Sequence, residues 1–555
     1  MTTTPACKDS AQGCFDEEDL SLKALQLEEM SFPAKVEKMA TSEISVEDLK
    51  DDTSAQPRPV ILSDEVELAS STPPFTLFGL YQFMGSGFMM SVAFLDPGNL
   101  EADIQVGVTS QYQLLWWYAL CVLCFGFAFQ SLSGKLGLVT GKDLAAHLGD
   151  HYPKSARYLL WFIIEMSLLA ADIQETVGCA LAVQILSGGT IPLWAGCLIV
   201  SVTAFGLLQL DRVGFRWFEA VFVALIFLEA IALGMGAIST GAYAPDVMKG
   251  LFVPILGPET VVVAAGALGA LVMPYNTFFQ SHVVNGRPRD LDTSGKTILA
   301  LRYMRLESFL VLLMAFVVNI FAVIIFANFY NMSGADTVGI ESAGGLLELQ
   351  FGSTVQNMWA VGLLASGQVA TLCLTYAGQI IMVGLLNLKV HATWRMMTTR
   401  LLALIPCLAL AVVFEATNTF DNVAQIINVI QSLVLPFGLI PVVQMTSSAK
   451  VMGDSWRNVN WVTAGVTTIT LAVFGINVYT LCSLLQTQLP QTAGVYAGFS
   501  FLIIFYMALI TYFAAGPSNW SHWIRRSRST AHTFVLWLKT NRRWADIESM
   551  LEVHF

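Results

Sequence analysis

Long apolar runs recur through most of this sequence, and they constrain its fold more than any other feature. A run of about twenty apolar residues is long enough to cross a bilayer as a helix. Because lipid offers no partners for backbone polar groups, such runs predict an all-α integral membrane protein. Only 13% of the 555 residues are charged, a composition that excludes an ordinary soluble enzyme. We count twelve runs, at about 76–100, 112–133, 157–186, 192–210, 215–239, 258–285, 305–330, 355–388, 396–414, 422–447, 460–482 and 493–516.

Basic residues alternate between the loops that join the predicted helices. If the N-terminus is cytosolic, the loops after even-numbered helices hold 16 Lys and Arg, and the other loops hold only Lys249. Positive residues favour the cytosolic side, so both termini are predicted to be cytosolic. The sequence leaves open whether the membrane is the plasma membrane or an endosomal, lysosomal or vacuolar one. On this topology Asn331, in the sequon Asn331-Met332-Ser333, lies on an outer loop and is an acceptor for a glycan.

The two ends of the chain are polar. Residues 1–75 are acidic and rich in Ser and Thr, and they predict a disordered cytosolic tail where trafficking or regulatory proteins would bind. The chain has no basic patch, so nucleic acid is not an expected partner. The predicted domains are the tail at 1–75, a ten-helix core at 76–447 with repeats at about 76–239 and 258–447, two more helices within 448–516, and a cytosolic tail at 517–555.

The first apolar run is interrupted by Asp96-Pro97-Gly98-Asn99. Pro97 removes a backbone donor and Gly98 weakens a helix, so carbonyls just upstream, near Ala93, can lose their helical partners. Asp96 and Asn99 add a carboxylate and an amide oxygen beside them. An ionisable side chain inside a membrane helix is costly, which makes Asp96 a functional-site candidate. The alternative is a proline kink in which Asp96 only caps the second half of the helix.

The sixth apolar run is interrupted in a similar way at Met273-Pro274. Helices one and six begin two five-helix halves, and an odd number of helices per half inverts the second half in the membrane. Paired interruptions at corresponding positions of inverted repeats point to the substrate site of a secondary transporter. We therefore expect Asp96, Asn99 and Met273 to meet near the middle of the membrane. Taken alone, Met273 would be explained by core packing.

The side chains at the two interruptions indicate the chemistry of the ligand. Carboxylate and carbonyl oxygens suit hard or borderline divalent cations, whereas a thioether is a poor ligand for Mg²⁺ and suits softer transition metals. The combination favours Mn²⁺ or Fe²⁺ without ranking the two. Such an ion is a substrate, and no resident cofactor is expected. The alternatives are a carrier of another substrate such as Mg²⁺, and a metal sensor or receptor that keeps the membrane body.

Other polar residues inside the runs suggest a path for protons. Glu165, Asp172 and Glu175 lie on one stripe of helix three, and protonation would allow carboxylates to stay in a medium of low dielectric constant. The alternative is ion pairing near the helix ends, for which Arg400 is a candidate partner. His282, near the end of helix six, is either a structural hydrogen-bonding residue or a carrier of protons.

Four segments of the chain match a known family. They are Leu95-Asp-Pro-Gly-Asn-Leu-Glu-Ala-Asp-Ile-Gln105, Phe129-Gln-Ser-Leu-Ser133, Val139-Thr-Gly-Lys-Asp-Leu144 and Gln431-Ser-Leu-Val-Leu-Pro-Phe437. With these segments the chain resembles the Nramp (natural resistance-associated macrophage protein) family of proton-coupled divalent metal transporters, and the later run Thr446-Ser-Ser-Ala-Lys-Val-Met-Gly453 is similar to its eukaryotic branch. The resemblance covers about 76–515. It implies a LeuT-like fold of two inverted five-helix repeats, with helices one and six broken and two further helices at the C-terminal end.

The resemblance also implies roles for individual residues. The three side chains at the interruptions would ligate the metal, joined in different states by the backbone carbonyls of Ala93 and Ala270. Asn428 matches a helix-ten position where relatives place an amide near the metal; the alternative is interhelical hydrogen bonding. The three carboxylates of helix three, together with Arg400, match the proton path of the family.

Two positions depart from the pattern of the family. Its members usually carry His directly after the helix-six Met-Pro and again five residues later, where this chain has Tyr275 and Gln280. In the family these histidines are tied to pH dependence, so the departures put the proton coupling in question. We expect Asp96 and the helix-three carboxylates still to carry protons, with His282 as a partial replacement.

The resulting prediction is a transporter and not an enzyme. It would carry divalent transition metals and protons into the cytosol by alternating access around a fixed site at the membrane midplane.

Overall fold

The computed structural model describes residues 74–83, 90, 94–210, 215–258, 260–285, 294–329, 338–387, 392–417, 419–487 and 492–516. Within these ranges the chain is helical and holds no strand, which confirms the all-α prediction. The glycan acceptor Asn331 and most of both predicted tails lie outside them. In chain order the helices are α1 (Leu77–Phe83), α2 (Pro97–Ser110), α3 (Leu115–Ala119), a π-helical segment (Leu120–Gly126), α4 (Phe127–Thr140), α5 (Leu144–His151), α6 (Lys154–Leu186), α7 (Leu193–Leu210), α8 (Phe215–Ser239), α9 (Ala244–Phe252), α10 (Val261–Leu271), α11 (Tyr275–Asn285), α12 (Ser294–Ala327), α13 (Ile340–Phe351), α14 (Ser353–Leu386), α15 (Ala392–Thr417), α16 (Phe420–Ser447), α17 (Ala449–Met452), α18 (Asn460–Thr487) and α19 (Ala493–Gly516).

Each predicted apolar run coincides with one or more of these helices, and the run at 112–133 spans α3, the π-helical segment and the start of α4. Seven helical spans in the described part of the chain are long and apolar enough to cross a membrane. An eighth is added if the end of α8 and α9, which meet at an angle of 117°, are counted as one span. The protein is therefore a polytopic membrane protein, and the count of twelve spans stays a prediction.

Several helices extend beyond the apolar runs. α12 begins at Ser294 rather than near 305, α2 continues to Ser110, and α4 continues to Thr140. Apolar runs stop at the first charged residues, such as Glu101, Lys135 and Arg302, but Glu, Lys and Arg are good helix formers and the backbone hydrogen bonds continue. Short helices between the runs were not predicted because they are too short to cross a membrane; among them α13 bears on the site.

The larger of two compact units comprises residues 57–204 and 222–555, and every contact described below lies within it. Residues 205–221, at the end of α7 and the start of α8, belong to the second unit. The predicted domain boundaries at 75, 447 and 516 stay predictions.

Close packing between helices positions the start of α2. The ring of Pro97 lies against α6 and α14 at two glycines. A Cβ at Gly178 would come 2.5 Å from the Cβ of Pro97, and one at Gly367 would come 3.0 Å from its Cγ. The first distance is shorter than two carbon atoms tolerate, and the second is tighter than ordinary contact. A Cβ at Gly367 would in addition overlap Sγ of Cys179, so both positions favour glycine. On its other sides α2 packs against α10, α12 and α16.

Candidate metal centre

The first break lies between α1 and α2, where the chain turns at Phe94–Asp96 before Pro97 starts the helix. Proline suits this first helical position because its missing N–H would have no helical partner there. Asp96 caps the helix: its Oδ1 accepts hydrogen bonds from the backbone N–H and from the side-chain amide of Asn99, both at 2.8 Å. The capping alternative is therefore correct for one oxygen. The other oxygen, Oδ2, is buried and has no hydrogen-bond partner among the described residues.

Distant helices satisfy the backbone carbonyls at the first break. The side-chain amide of Asn319, in α12, donates to the carbonyl of Phe94 at 3.0 Å. That of Asn428, in α16, donates to the carbonyl of Gly98 at 3.1 Å. Asn428 in turn accepts a hydrogen bond from Gln174 of α6 at 3.2 Å. The first break is thus tied to three other helices; the carbonyl of Ala93 lies outside the described residues.

The second break separates α10 from α11. α10 ends at Leu271, and α11 begins only at Tyr275. Because Pro274 has no N–H, the carbonyl of Ala270 lacks the donor that a continuous helix supplies four residues later. Met273 is fully buried between the two helices.

Hydrogen bonds from the next turn hold the second break. The carbonyl of Met273 accepts from the N–H of Asn276 at 3.1 Å. The carbonyl of Pro274 accepts from the hydroxyl of Thr277 at 3.0 Å. Each partner lies three residues further along the chain, so the second break is held locally.

Helix α16 links the two breaks. The backbone of Asn428 lies directly against Gly269, where a Cβ would overlap its carbonyl, while its side chain reaches the first break. Tyr275, just after the second break, is an electrostatic neighbour of Asp96. The two breaks therefore lie close together in the buried core. Ligation by Asp96, Asn99 and Met273 stays a prediction.

The donors at the breaks form a mixed set. Among the described residues, no group of three or more His, Cys, Asp and Glu could hold a metal ion. A cation at the breaks would instead be bound by one carboxylate oxygen, one amide oxygen, one thioether and the carbonyl of Ala270. The buried Oδ2 of Asp96 fits this role, because a buried charge needs a cation or a proton as partner.

The predicted proton path lies along α6, which is continuous through all three carboxylates. Asp172 and Glu175 are buried, and Glu165 is half-buried. Glu175 and Asp96 are both electrostatic neighbours of Tyr275, so this end of the stripe lies near the first break. The side chain of Arg400 lies outside the described residues. The proton path stays a prediction.

His282 lies near the end of α11, away from both breaks. Its Nδ1 is 2.9 Å from Oδ2 of Asp143, whose other oxygen caps α5 by accepting from the N–H of Ala146 at 2.8 Å. Burial raises the pKa of Asp143, but the hydrogen bond and charge of His282 outweigh it, and the pKa lies below its ordinary value. This contact matches the structural alternative for His282, and its role as a proton carrier stays a prediction.

Sequence reasoning missed residues that support the first break. Asn319 interrupts the apolar segment 311–327 as its only polar residue, and this is a signal that could have been noticed. Glu229, in α8, is a buried carboxylate with Asp96 as an electrostatic neighbour, and it is the only charged residue within the apolar segment 220–238. Gln174 gives no such signal, because it lies on a helix that already carries several polar residues.

Residues 87–483 match the family model described as natural resistance-associated macrophage protein-like. The chain belongs to the Nramp family. The metal transporter nramp1 homolog of Dictyostelium discoideum is 38% identical over 455 residues, which cover 81% of this chain and 84% of that protein. Metal transporter Nramp3 of Arabidopsis thaliana is 37% identical over 469 residues, covering 82% of this chain and 90% of that protein.

A solved structure agrees with the family. The crystal structure of the Eremococcus coleocola manganese transporter, in complex with an aromatic bis-isothiourea substituted compound, matches with a TM-score of 0.66 at 26% identity. The match covers 80% of this chain and 97% of the manganese transporter. Nramp proteins are metal transporters, so this chain is a transporter of metal ions and not an enzyme.

Proposed function

We propose that this Nramp protein carries Mn²⁺ or Fe²⁺ into the cytosol together with protons, by alternating access around the two helix breaks. One observation carries the proposal. Oδ2 of Asp96 is buried at the first break and lacks a hydrogen-bond partner among the described residues, although Oδ1 is fully used in capping. A carboxylate oxygen left in this state inside a membrane helix has a cation or a proton as its natural partner.

The proposed ligands are Asp96, Asn99, Met273 and the carbonyl of Ala270. The missing N–H of Pro274 supports the carbonyl, and the burial of Met273 beside the break supports the thioether. A thioether ligand favours Mn²⁺ or Fe²⁺ over Mg²⁺.

Two further ligands are proposed for particular states of the transport cycle. They are the carbonyl of Ala93 and the amide of Asn428. In this conformation Asn428 donates to the carbonyl of Gly98, so it would have to exchange that bond in order to reach the metal.

Proton coupling is proposed to run from Asp96 towards α6. Metal binding requires the ionised carboxylate, so arrival of the cation releases a proton from Asp96. Glu175 is a buried electrostatic neighbour of Tyr275, and Asp172 is a buried carboxylate one turn before it on α6; they are the proposed acceptors. Glu165 and Arg400 complete the proposed path, and His282 is proposed to exchange protons at its end.

Contacts at the start of α13 support an outer gate in this scheme. Glu101 of α2 accepts from the N–H of Ile340 at 2.7 Å, and Asp421 of α16 accepts from the N–H of Glu341 at 3.0 Å. Two carboxylates thus hold the N-terminus of α13, where the helix dipole favours negative charge. In the proposed cycle α13 closes the outer side over α2, and the ion leaves on the cytosolic side.

The proposal is tested by uptake of Mn²⁺, Fe²⁺ and Mg²⁺ into proteoliposomes with and without an inward proton gradient. We expect uptake of Mn²⁺ and Fe²⁺ but not Mg²⁺, stimulation by the gradient, and loss of uptake in Asp96→Ala. Asp454→Ala is the matched control, because this carboxylate is exposed far from both breaks. Mn²⁺ uptake at the same rate with and without the gradient would contradict the proposed proton coupling but not the transport of metal. Metal binding without uptake would favour a sensor, and uptake of Mg²⁺ in preference to Mn²⁺ would overturn the proposed ligand set.

A further inference from the structure

Three buried amide side chains lie where α4 packs against α11. They belong to Gln130, Asn276 and Gln280, each at most 7% exposed. Both polar atoms of Gln130, both of Asn276, and Oε1 of Gln280 have no hydrogen-bond partner among the described residues. A buried polar group left without a partner costs about 1–3 kcal/mol. Packing alone therefore does not account for these three residues.

The register between α4 and α11 is fixed by three contacts. The hydroxyl of Ser133 donates to the carbonyl of Thr277. A Cβ at Gly134 would lie 3.3 Å from Nε2 of Gln280, and one at Gly137 would overlap the carbonyl of Ser281. The contacts advance in the same direction along both helices, so α4 and α11 run parallel.

This register aligns the three amides in one file. Gln130 is one helical turn before Gly134 and lies on the same face of α4. Asn276 is one turn before Gln280 and lies on the same face of α11. Both are therefore one turn nearer the second break. The file begins beside Met273, whose carbonyl accepts from the N–H of Asn276. It ends at the turn of α11 that carries Ser281, whose hydroxyl accepts from the N–H of Leu144 at the start of α5.

We propose that Gln130, Asn276 and Gln280 line the route by which the metal ion leaves the breaks towards the cytosol, once α4 and α11 part. This inference rests on the proposed function and adds the residues of the release step. Neutral amide oxygens can replace part of the hydration shell of a cation without holding it as a carboxylate would, and conduction needs sites that release the ion. Parting the helices also exposes five unsatisfied polar atoms to water, which lowers the free energy of the open form relative to the closed one.

The test compares these amides with a satisfied one. Gln444 also lies half-buried between helices, but its Oε1 accepts from the hydroxyl of Tyr152 and its Nε2 donates to the carbonyl of Phe513, both at 2.7 Å. Gln130→Leu and Asn276→Leu should keep or raise the thermal midpoint of unfolding in detergent, because they remove unsatisfied atoms. Gln444→Leu should lower it, because it removes two hydrogen bonds.

The effects on the rate of Mn²⁺ uptake should be the reverse of the effects on stability: the two variants that keep their stability should lose uptake, and Gln444→Leu should keep it. We expect Gln130→Leu and Asn276→Leu to slow Mn²⁺ uptake per folded transporter at least fivefold, with the Kd for Mn²⁺ within twofold of the wild type. Gln444→Leu should retain uptake per folded transporter. If the leucine variants do not fold, Gln130→Glu serves instead: a carboxylate in the route should slow turnover and tighten Mn²⁺ binding.

Two results would overturn the inference. One is uptake at the wild-type rate in Gln130→Leu and Asn276→Leu or, where those do not fold, in Gln130→Glu. The other is a fall in the thermal midpoint of leucine variants that do fold, as large as that of Gln444→Leu, which would make the amides structural. Failure of the proposed function gives a different pattern, namely no Mn²⁺ uptake by the wild type, or uptake that survives Asp96→Ala.

Discussion

The first and second breaks lie close together in one core, yet their backbone carbonyls find partners in different places. At the first break the carbonyls of Phe94 and Gly98 accept from Asn319 and Asn428, which belong to α12 and α16. Moving this break away from its neighbours would therefore cost two buried hydrogen bonds. The first break is part of the framework that α12 and α16 build.

The second break depends on its own helix. The carbonyls of Met273 and Pro274 accept from Asn276 and Thr277 in the next turn, and these bonds travel with α11 when it moves. The first break is thus held by other helices, whereas the hydrogen bonds at the second lie within α11. Movement of α11 would keep the bonds to the carbonyls of Met273 and Pro274, but it would break the one that the carbonyl of Thr277 accepts from Ser133 of α4.

The largest effect is expected from the charged residue of the first break. Asp96→Asn keeps a good helix cap but removes the negative charge, whereas Asp96→Ala removes both. Both variants should weaken Mn²⁺ binding by more than about 100-fold, beyond what the loss of a supporting group costs a metal site. Only Asp96→Ala should also lower the thermal midpoint. Calorimetric titration measures Mn²⁺ binding, and thermal unfolding measures stability. Near-normal Mn²⁺ binding by Asp96→Asn would mean that Asp96 caps the helix but does not bind the metal.

The side chain of the second break should control selectivity rather than binding as such. Met273→Ala should weaken Mn²⁺ binding roughly tenfold, or about 1.4 kcal/mol, because it removes the one soft ligand. Competition by Mg²⁺ should rise in the same variant. Met304→Ala is the control, since this methionine is buried in an apolar cluster with Leu138 and Leu301. It should lower stability and leave selectivity unchanged; an equal change in both variants would mean that Met273 only packs.

Loss of a remote partner should destabilise the first break. Asn319→Leu leaves the carbonyl of Phe94 without its donor, and the free energy of unfolding should fall by about 1–3 kcal/mol. Thermal unfolding in detergent measures the change. An unchanged midpoint would show that the first break does not depend on α12.

Loss of a local partner should have a smaller effect at the second break. Thr277→Val removes the hydroxyl that bonds the carbonyl of Pro274 and should cost about 1 kcal/mol or less. The same unfolding assay applies. If Thr277→Val proved as damaging as Asn319→Leu, the contrast between a remotely and a locally held break would disappear.

A pH-dependent effect is expected at α13, which anchors α2 beyond the first break. Burial, and then the charge of Asp421, raise the pKa of Glu341 to about 7 from an ordinary value of 4.5. A carboxyl group whose pKa is raised on folding favours the folded state at low pH, and that contribution is lost as the pH rises through about 7. The thermal midpoint of the wild type should therefore fall between pH 5 and pH 8, and the thermal midpoint of Glu341→Gln should fall less over the same range. Equal slopes would exclude Glu341 as the source.

Sequence reasoning worked where structure is local. Pro97 and Pro274 remove donors at known positions, so the helix ends beside them follow from covalent chemistry. The two interpretations of Asp96, cap and ligand, proved compatible, because a carboxylate has two oxygens and only one is used in the cap.

Sequence reasoning failed where a partner comes from a distant part of the chain. Asn319 follows Phe94 by more than two hundred residues, and nothing in either segment encodes the pairing. The file of amides between α4 and α11 is likewise visible only once the register of the two helices is known. The helix α13 was missed because it is short and only partly apolar, so a search for membrane-spanning runs passes over it.

The proline of the first break also has a consequence for inheritance. Its ring fills the space that side chains at Gly178 and Gly367 would need. A larger residue at Gly178 therefore requires that Pro97 also be replaced, so these two codons are constrained together although their residues lie on separate helices. Gly367 carries a second constraint, because a Cβ there would also overlap Sγ of Cys179.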